Sequence, residues 1–86
     1  MHRYRQPIAV RLSDQVPAEF RWRGRRYLVR EVLGHWVEAL PWWSHRRGTG
    51  RITVWRVEAQ SRTGIPGVYD LCAVSEQDWR LLRVLD

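Results

Sequence analysis

Cysteine is nearly absent from this chain, lysine is wholly absent, and no long apolar run occurs anywhere in it. The lone Cys72 cannot close an intramolecular disulfide, so burial and hydrogen bonding must hold the fold. Nothing approaches the roughly 20 consecutive apolar residues that a membrane-crossing helix needs. Residues 1–11 carry arginines but lack the apolar stretch of about 7–15 residues that marks a secretory signal. These absences lead to the expectation of a cytoplasmic, reducing location and no membrane partner. With 86 residues, the chain makes one small domain over 1–86. A domain of this size buries only about 60–65% of its unfolded surface, which leaves a thin core. No enclosed substrate pocket, small-molecule substrate or cofactor is therefore expected.

The missing lysine has two readings. All fifteen basic residues are arginine, whose planar fork suits phosphate and stacks on aromatic rings. The same bias arises in a genome rich in arginine codons. The charge is independent of that history: nine acidic residues leave a formal net charge of +6 and a pI near 11.0. Such a balance favours a polyanionic partner through counterion release.

What is present reads as a folded β protein. Apolar residues make up 44% of the chain and charged residues 28%, close to globular averages. Turn formers cut the sequence into short segments. Pro7 to Leu12 reads as a strand, closed by Ser13, Asp14 and Pro17. Phe20-Arg21-Trp22-Arg23 alternates apolar and basic residues, and Gly24 then reverses the chain into Tyr27-Leu28-Val29. Arg51 to Gln60, Val68 to Val74 and Trp79 to Leu85 supply further strands, with turns at Thr63 to Gly67 and a loop from Trp42 to Gly50. The segment from Tyr27 to Leu40 is ambiguous, because Val29, Val32, Leu33, Trp36, Val37 and Leu40 also fall at helical spacing. Its β-branched and aromatic content, Gly34 and the missing N-cap favour a long, bent strand. The resulting expectation is an all-β fold, a six-stranded antiparallel meander or SH3-like barrel. The alternative is an α+β fold with a helix around 28–40.

Six tryptophans stand in this small domain. Each large aromatic buries about 150–250 Å², worth on the order of 4–6 kcal/mol gross, so the core is their default place. Trp22, Trp36, Trp55 and Trp79 fall within strands and are expected there. Trp42 and Trp43 are adjacent, and neighbours in an extended segment point to opposite sides, so one of them faces outward. They open a loop with His45, Arg46, Arg47 and Arg51, in which an exposed indole could stack a base while arginines hold phosphates. A solvated loop with one indole folded over the barrel mouth is the plainer reading. Arg21, Arg23, Arg25, Arg26 and Arg30 form a second basic cluster, with Arg21 and Arg23 expected on one outer face. Placed beside the 46–51 loop, it would complete a groove for about four to six phosphates. An ordinary charged face, partly neutralised by Glu19, Glu31, Glu38 and Glu58, is the alternative.

Catalytic signals are thin. His2, His35 and His45 are scattered, Cys72 lies in an apolar strand as a buried inert thiol, and Gly48-Thr49-Gly50-Arg51 lacks the surroundings of a phosphate loop. No second feature supports Asp70, Asp78 or Asp86 as an acid and base pair. A non-enzymatic protein is expected, with no catalytic residue and no metal.

Several elements together carry a resemblance. They are Pro17-x-x-Phe20-x-Trp22-x-Gly24-Arg25-x-Tyr27-x-Val29, Trp36, Trp42-Trp43, Trp55-Arg56-Val57, Gly67-Val68-Tyr69-Asp70-Leu71 and Trp79-x-Leu81-x-Arg83-Val84-x-Asp86. From about Pro7 to Asp86 the chain resembles a family of small uncharacterised actinobacterial proteins, related in pattern to the C-terminal segment of some Y-family translesion DNA polymerases. Leu85 departs from the pattern, where an aromatic commonly precedes the final aspartate. The resemblance implies an all-β chain, a context of DNA repair and translesion synthesis, and a non-enzymatic role. The expected partner is single-stranded or duplex DNA, held by the arginine clusters, or alternatively a Y-family polymerase or repair protein.

Overall fold

Two-residue turns set the register of the first half of the molecule. A computed structural model describes residues 2–39 and 51–85. Its strands are β1 (His2–Ser13), β2 (Val16–Trp22), β3 (Arg25–Ala39), β4 (Arg51–Ser61), β5 (Gly67–Ala73) and β6 (Trp79–Leu85). Asp14 and Gln15 join β1 to β2, and Arg23 and Gly24 join β2 to β3, all four with positive φ. That is the backbone twist a tight hairpin requires. Each strand runs antiparallel to the next, and β6 pairs back with β1 to close a barrel. The expected six-stranded all-β barrel is what forms.

The helix considered around 28–40 does not occur, because β3 is extended over its 15 residues. Its helix-like spacing has a physical origin in two register shifts against β4, one between Val29 and Glu31 and one between Val32 and Gly34. Each inserts an extra residue into a period-2 pattern. Val29 and Val32 therefore both pack on the barrel interior, while Trp36 reaches the opposite face. Leu33 and Val37, which a helix would have buried, are exposed.

The interior is aromatic. Phe20 is fully buried, stacks on Tyr27 at 4.9 Å between centroids and meets Tyr69 edge-on at 5.4 Å. Trp22, Val57, Ala59, Leu71, Trp79 and Leu81 are the other buried members of this cluster. Trp22 and Trp79 are buried as expected, and Trp55 is half-buried against His35, with ring centroids 4.7 Å apart.

A second cluster of Ile52, Val54, Cys72 and Leu82, with Trp36 and Val74 packed on it, lies on the other face of the sheet. Strand alternation explains this: Trp36 pairs with Val54 and Val54 with Cys72, whereas the intervening Trp55 and Leu71 belong to the interior. A thin barrel thus gains apolar burial on both sides of one wall. Burial pushes the Cys72 thiol up to about 12, which keeps it protonated and inert.

Candidate functional site

The hairpin of β2 and β3 and the loop after β4 meet at one end of the barrel. Arg21 and Arg26 face each other directly across the hairpin, while Tyr27 and Leu28 pair with Ser61 and Gln60 of β4. This register gathers Arg21, Arg25, Arg26 and Arg62 around a cavity of about 680 Å³, whose remaining lining is Leu28, Ser61 and Thr63. Glu19 is the nearest compensation: it accepts from Arg11 Nη2 at 3.0 Å and lies 3.9 Å from Arg26 Nε. Among the described residues, Arg21, Arg25 and Arg62 have no carboxylate within ion-pair distance. Like charges set directly opposite in a sheet repel, so this wall favours an added anion. Guanidinium groups suit phosphate oxygens, which they bind in pairs of parallel hydrogen bonds.

The other basic residues expected at a site divide differently. Arg23 does not share the outer face of β2 with Arg21. It is the first residue of the turn, with φ of 54°, and its guanidinium lies 4.5 Å from the Trp22 ring centroid and 5.4 Å from that of Tyr4. Cation–π contact of this kind offsets the cost of a left-handed arginine. Arg30 is not part of the cavity lining and donates through Nη1 to Gln60 Oε1 at 2.7 Å.

Arg51 begins β4 and pairs with Ala39, the last residue of β3, whereas Arg25 is the first residue of that strand. Arg51 thus stands at the end of β3 opposite to Arg25, and the rest of its cluster, which the expected single groove needs, falls outside the described residues. Trp42, Trp43, His45, Arg46 and Arg47 lie outside them. At this far end a second cavity of about 630 Å³ is lined by Leu12, Gln15, Thr53, Ala73, Ser75, Glu76 and Trp79, with no arginine among them.

Sequence reasoning missed Ser61, Arg62 and Thr63 as site residues; their only signal is their place at or just before the Thr63 to Gly67 turn. It also missed an ionic network on the outer face. Asp70 is fully buried; its Oδ1 accepts from Arg56 Nε at 2.8 Å, and its Oδ2 accepts from Arg56 Nη2 at 2.9 Å and Arg83 Nη1 at 2.8 Å. Arg83 Nη2 donates to both oxygens of Glu38, at 2.6 and 2.8 Å, and Trp36 Nε1 donates to Glu38 Oε2 at 2.7 Å.

The hydrogen bond to Asp70 raises the pKa of Arg56. Burial alone would lower that of Arg83, but the bonds to Glu38 and Asp70 outweigh it and the net shift is upward. Both carboxylate oxygens of Asp70 are thus committed to guanidinium groups, and it ties β4, β5 and β6 together. Of the four glutamates expected to neutralise the arginine face, Glu19 lies within ion-pair distance of Arg26, whereas Glu38 pairs with Arg83, outside that face. Glu31 and Glu58 instead stand opposite each other across β3 and β4.

No match was found among curated proteins or among solved structures. One family model spans the whole sequence, residues 1–86, and the chain accordingly belongs to the family described as Domain of unknown function (DUF6504).

Proposed function

We propose that this protein is a non-enzymatic β-barrel module that binds nucleic acid through phosphates held by Arg21, Arg25, Arg26 and Arg62. The observation that carries the reading is the gathering of these four arginines around one cavity, with Glu19 the only carboxylate within ion-pair distance of any of them among the described residues. The net charge of +6 supports it by drawing polyanions to the surface. The sequence resemblance to translesion polymerase segments supports a place in DNA repair. Four arginines neutralising one phosphate each give a log–log salt slope of about −3 on single-stranded DNA. Fluorescence anisotropy with labelled oligonucleotides across a salt series measures that slope. A slope near zero, or no binding at low salt, refutes the reading.

A second reading, docking on a polymerase or repair protein, draws on a different observation. Among the described residues, β3 pairs with β2 only from Arg25 to Leu28, so from Val29 to Ala39 its partner is β4 alone. Leu33 and Val37 are exposed along that edge. An open strand edge can accept a strand from a partner through main-chain hydrogen bonds. A partner complex that survives nuclease and high salt, and that Val37→Lys abolishes, favours this reading. Insensitivity of such a complex to Val37→Lys counts against it.

A further inference from the structure

The loop between β4 and β5, Arg62-Thr63-Gly64-Ile65-Pro66, carries the most exposed large apolar side chain among the described residues, Ile65 at 87%. The loop is braced. Gly64 N donates to Ser61 O at 3.3 Å, Gln60 Nε2 donates to Gly64 O at 3.1 Å, and Gln60 is itself held by Arg30. Pro66 fixes the backbone immediately after Ile65. A side chain held out this way contributes nothing to the core. Its neighbours two and three residues back, Thr63 and Arg62, form one wall of the arginine cavity.

We propose that Ile65 is a wedge that enters the base stack of a duplex whose phosphates rest on Arg21, Arg25, Arg26 and Arg62. This rests on the nucleic-acid reading of that cavity and adds to it a preference, among duplexes, for one with a base step that opens readily. Isoleucine is among the apolar side chains that proteins insert between base steps while arginines grip the adjoining backbone. A protein pocket for Ile65 is the weaker fit, because its surroundings would have to supply carboxylates for Arg21, Arg25 and Arg62. Opening a step costs least where the bases are mismatched, so a mismatched duplex is the preferred ligand.

The test titrates the full chain and Ile65→Ala against paired and mismatched duplexes carrying 2-aminopurine beside the mismatch. The expected result is that the unsubstituted protein brightens 2-aminopurine and binds the mismatched duplex several-fold more tightly. Ile65→Ala then loses both effects while keeping the same salt slope, and an unchanged thermal midpoint shows that it folds. Equal binding and equal fluorescence for the two proteins overturns the wedge and leaves the phosphate site standing. Absence of any nucleic-acid binding by the unsubstituted protein removes the phosphate site and the wedge together. A protein complex that Ile65→Ala abolishes, with DNA binding unaltered, assigns Ile65 to a protein pocket and also overturns the proposal.

Discussion

Two sets of arginines in this small barrel have opposite surroundings. Arg56 and Arg83 share the buried Asp70, and Arg83 also grips Glu38. Arg21, Arg25, Arg26 and Arg62 stand around an open cavity, with Glu19 the only carboxylate within ion-pair distance of them among the described residues. Residue type is identical and the consequences differ: the first set holds β3, β4, β5 and β6 together, and the second leaves hydrogen-bonding capacity for something outside. Arginine count alone says little about ligand binding, whereas the location of the carboxylates separates structural from available charge.

The sharpest way to break the contrast is to remove Asp70. Asp70→Ala strips the half-exposed Arg56 of its carboxylate and leaves Arg83 with Glu38 alone, so the cost falls at the lower end of the about 3–5 kcal/mol typical of breaking a buried ion pair. In a domain this small each 1 kcal/mol lowers the melting midpoint by about 4–8 °C, which calorimetry reads directly. Arg21→Ala and Arg62→Ala, by comparison, should change stability by no more than about 0.5 kcal/mol, since each removes a side chain without an ion pair.

Cys72 extends the test to the packed outer face of the barrel wall. Its thiol is raised from 9.0 to about 12 in the folded state. A folded-state pKa above the unfolded one contributes stability that is present below pH 9 and is lost as pH rises toward 12, at about 1.4 kcal/mol per pH unit. Denaturant titrations at pH 8 and pH 10.5 should show this loss in the unsubstituted protein and a shallower one in Cys72→Ala. Equal slopes count against burial of the thiol. A smaller effect belongs to the basic hairpin. Gly24 has φ of +74°, and the space that a Cβ would occupy there is open. Gly24→Ala therefore strains only the backbone and costs about 1 kcal/mol by thermal unfolding. The smallest concerns the exposed Arg11 and Glu19 pair, where Arg11→Ala should cost less than about 1 kcal/mol by the same measurement.

Much of the fold was legible in the residues. Gly24 between two alternating segments gave the hairpin, and Thr, Val and Trp content gave β4. The bent strand from Tyr27 was legible only against a competing periodicity, because the extra residues at the two register shifts mimic helical spacing. Arg23 misled, since an arginine in the left-handed region is rare and nothing in the sequence announces it. Arg21, Arg25 and Arg26 were legible as a cluster because they are close in sequence. Arg62 joins them only through the pairing of β3 with β4, a contact across more than 30 residues that no local pattern reports. Asp70 was passed over for the same reason: its partners Arg56 and Arg83 lie on neighbouring strands, and a lone aspartate in an apolar strand carries no sign of them.

The most direct measurement is the salt dependence of single-stranded DNA binding by the unsubstituted protein and by the Arg21→Ala/Arg62→Ala double variant, with melting midpoints recorded on the same samples. The account predicts a log–log slope of about −3 that falls to about −1.5 in the variant while the midpoint holds steady. Equal slopes for the two proteins, or a variant that loses binding only because it has unfolded, would contradict it.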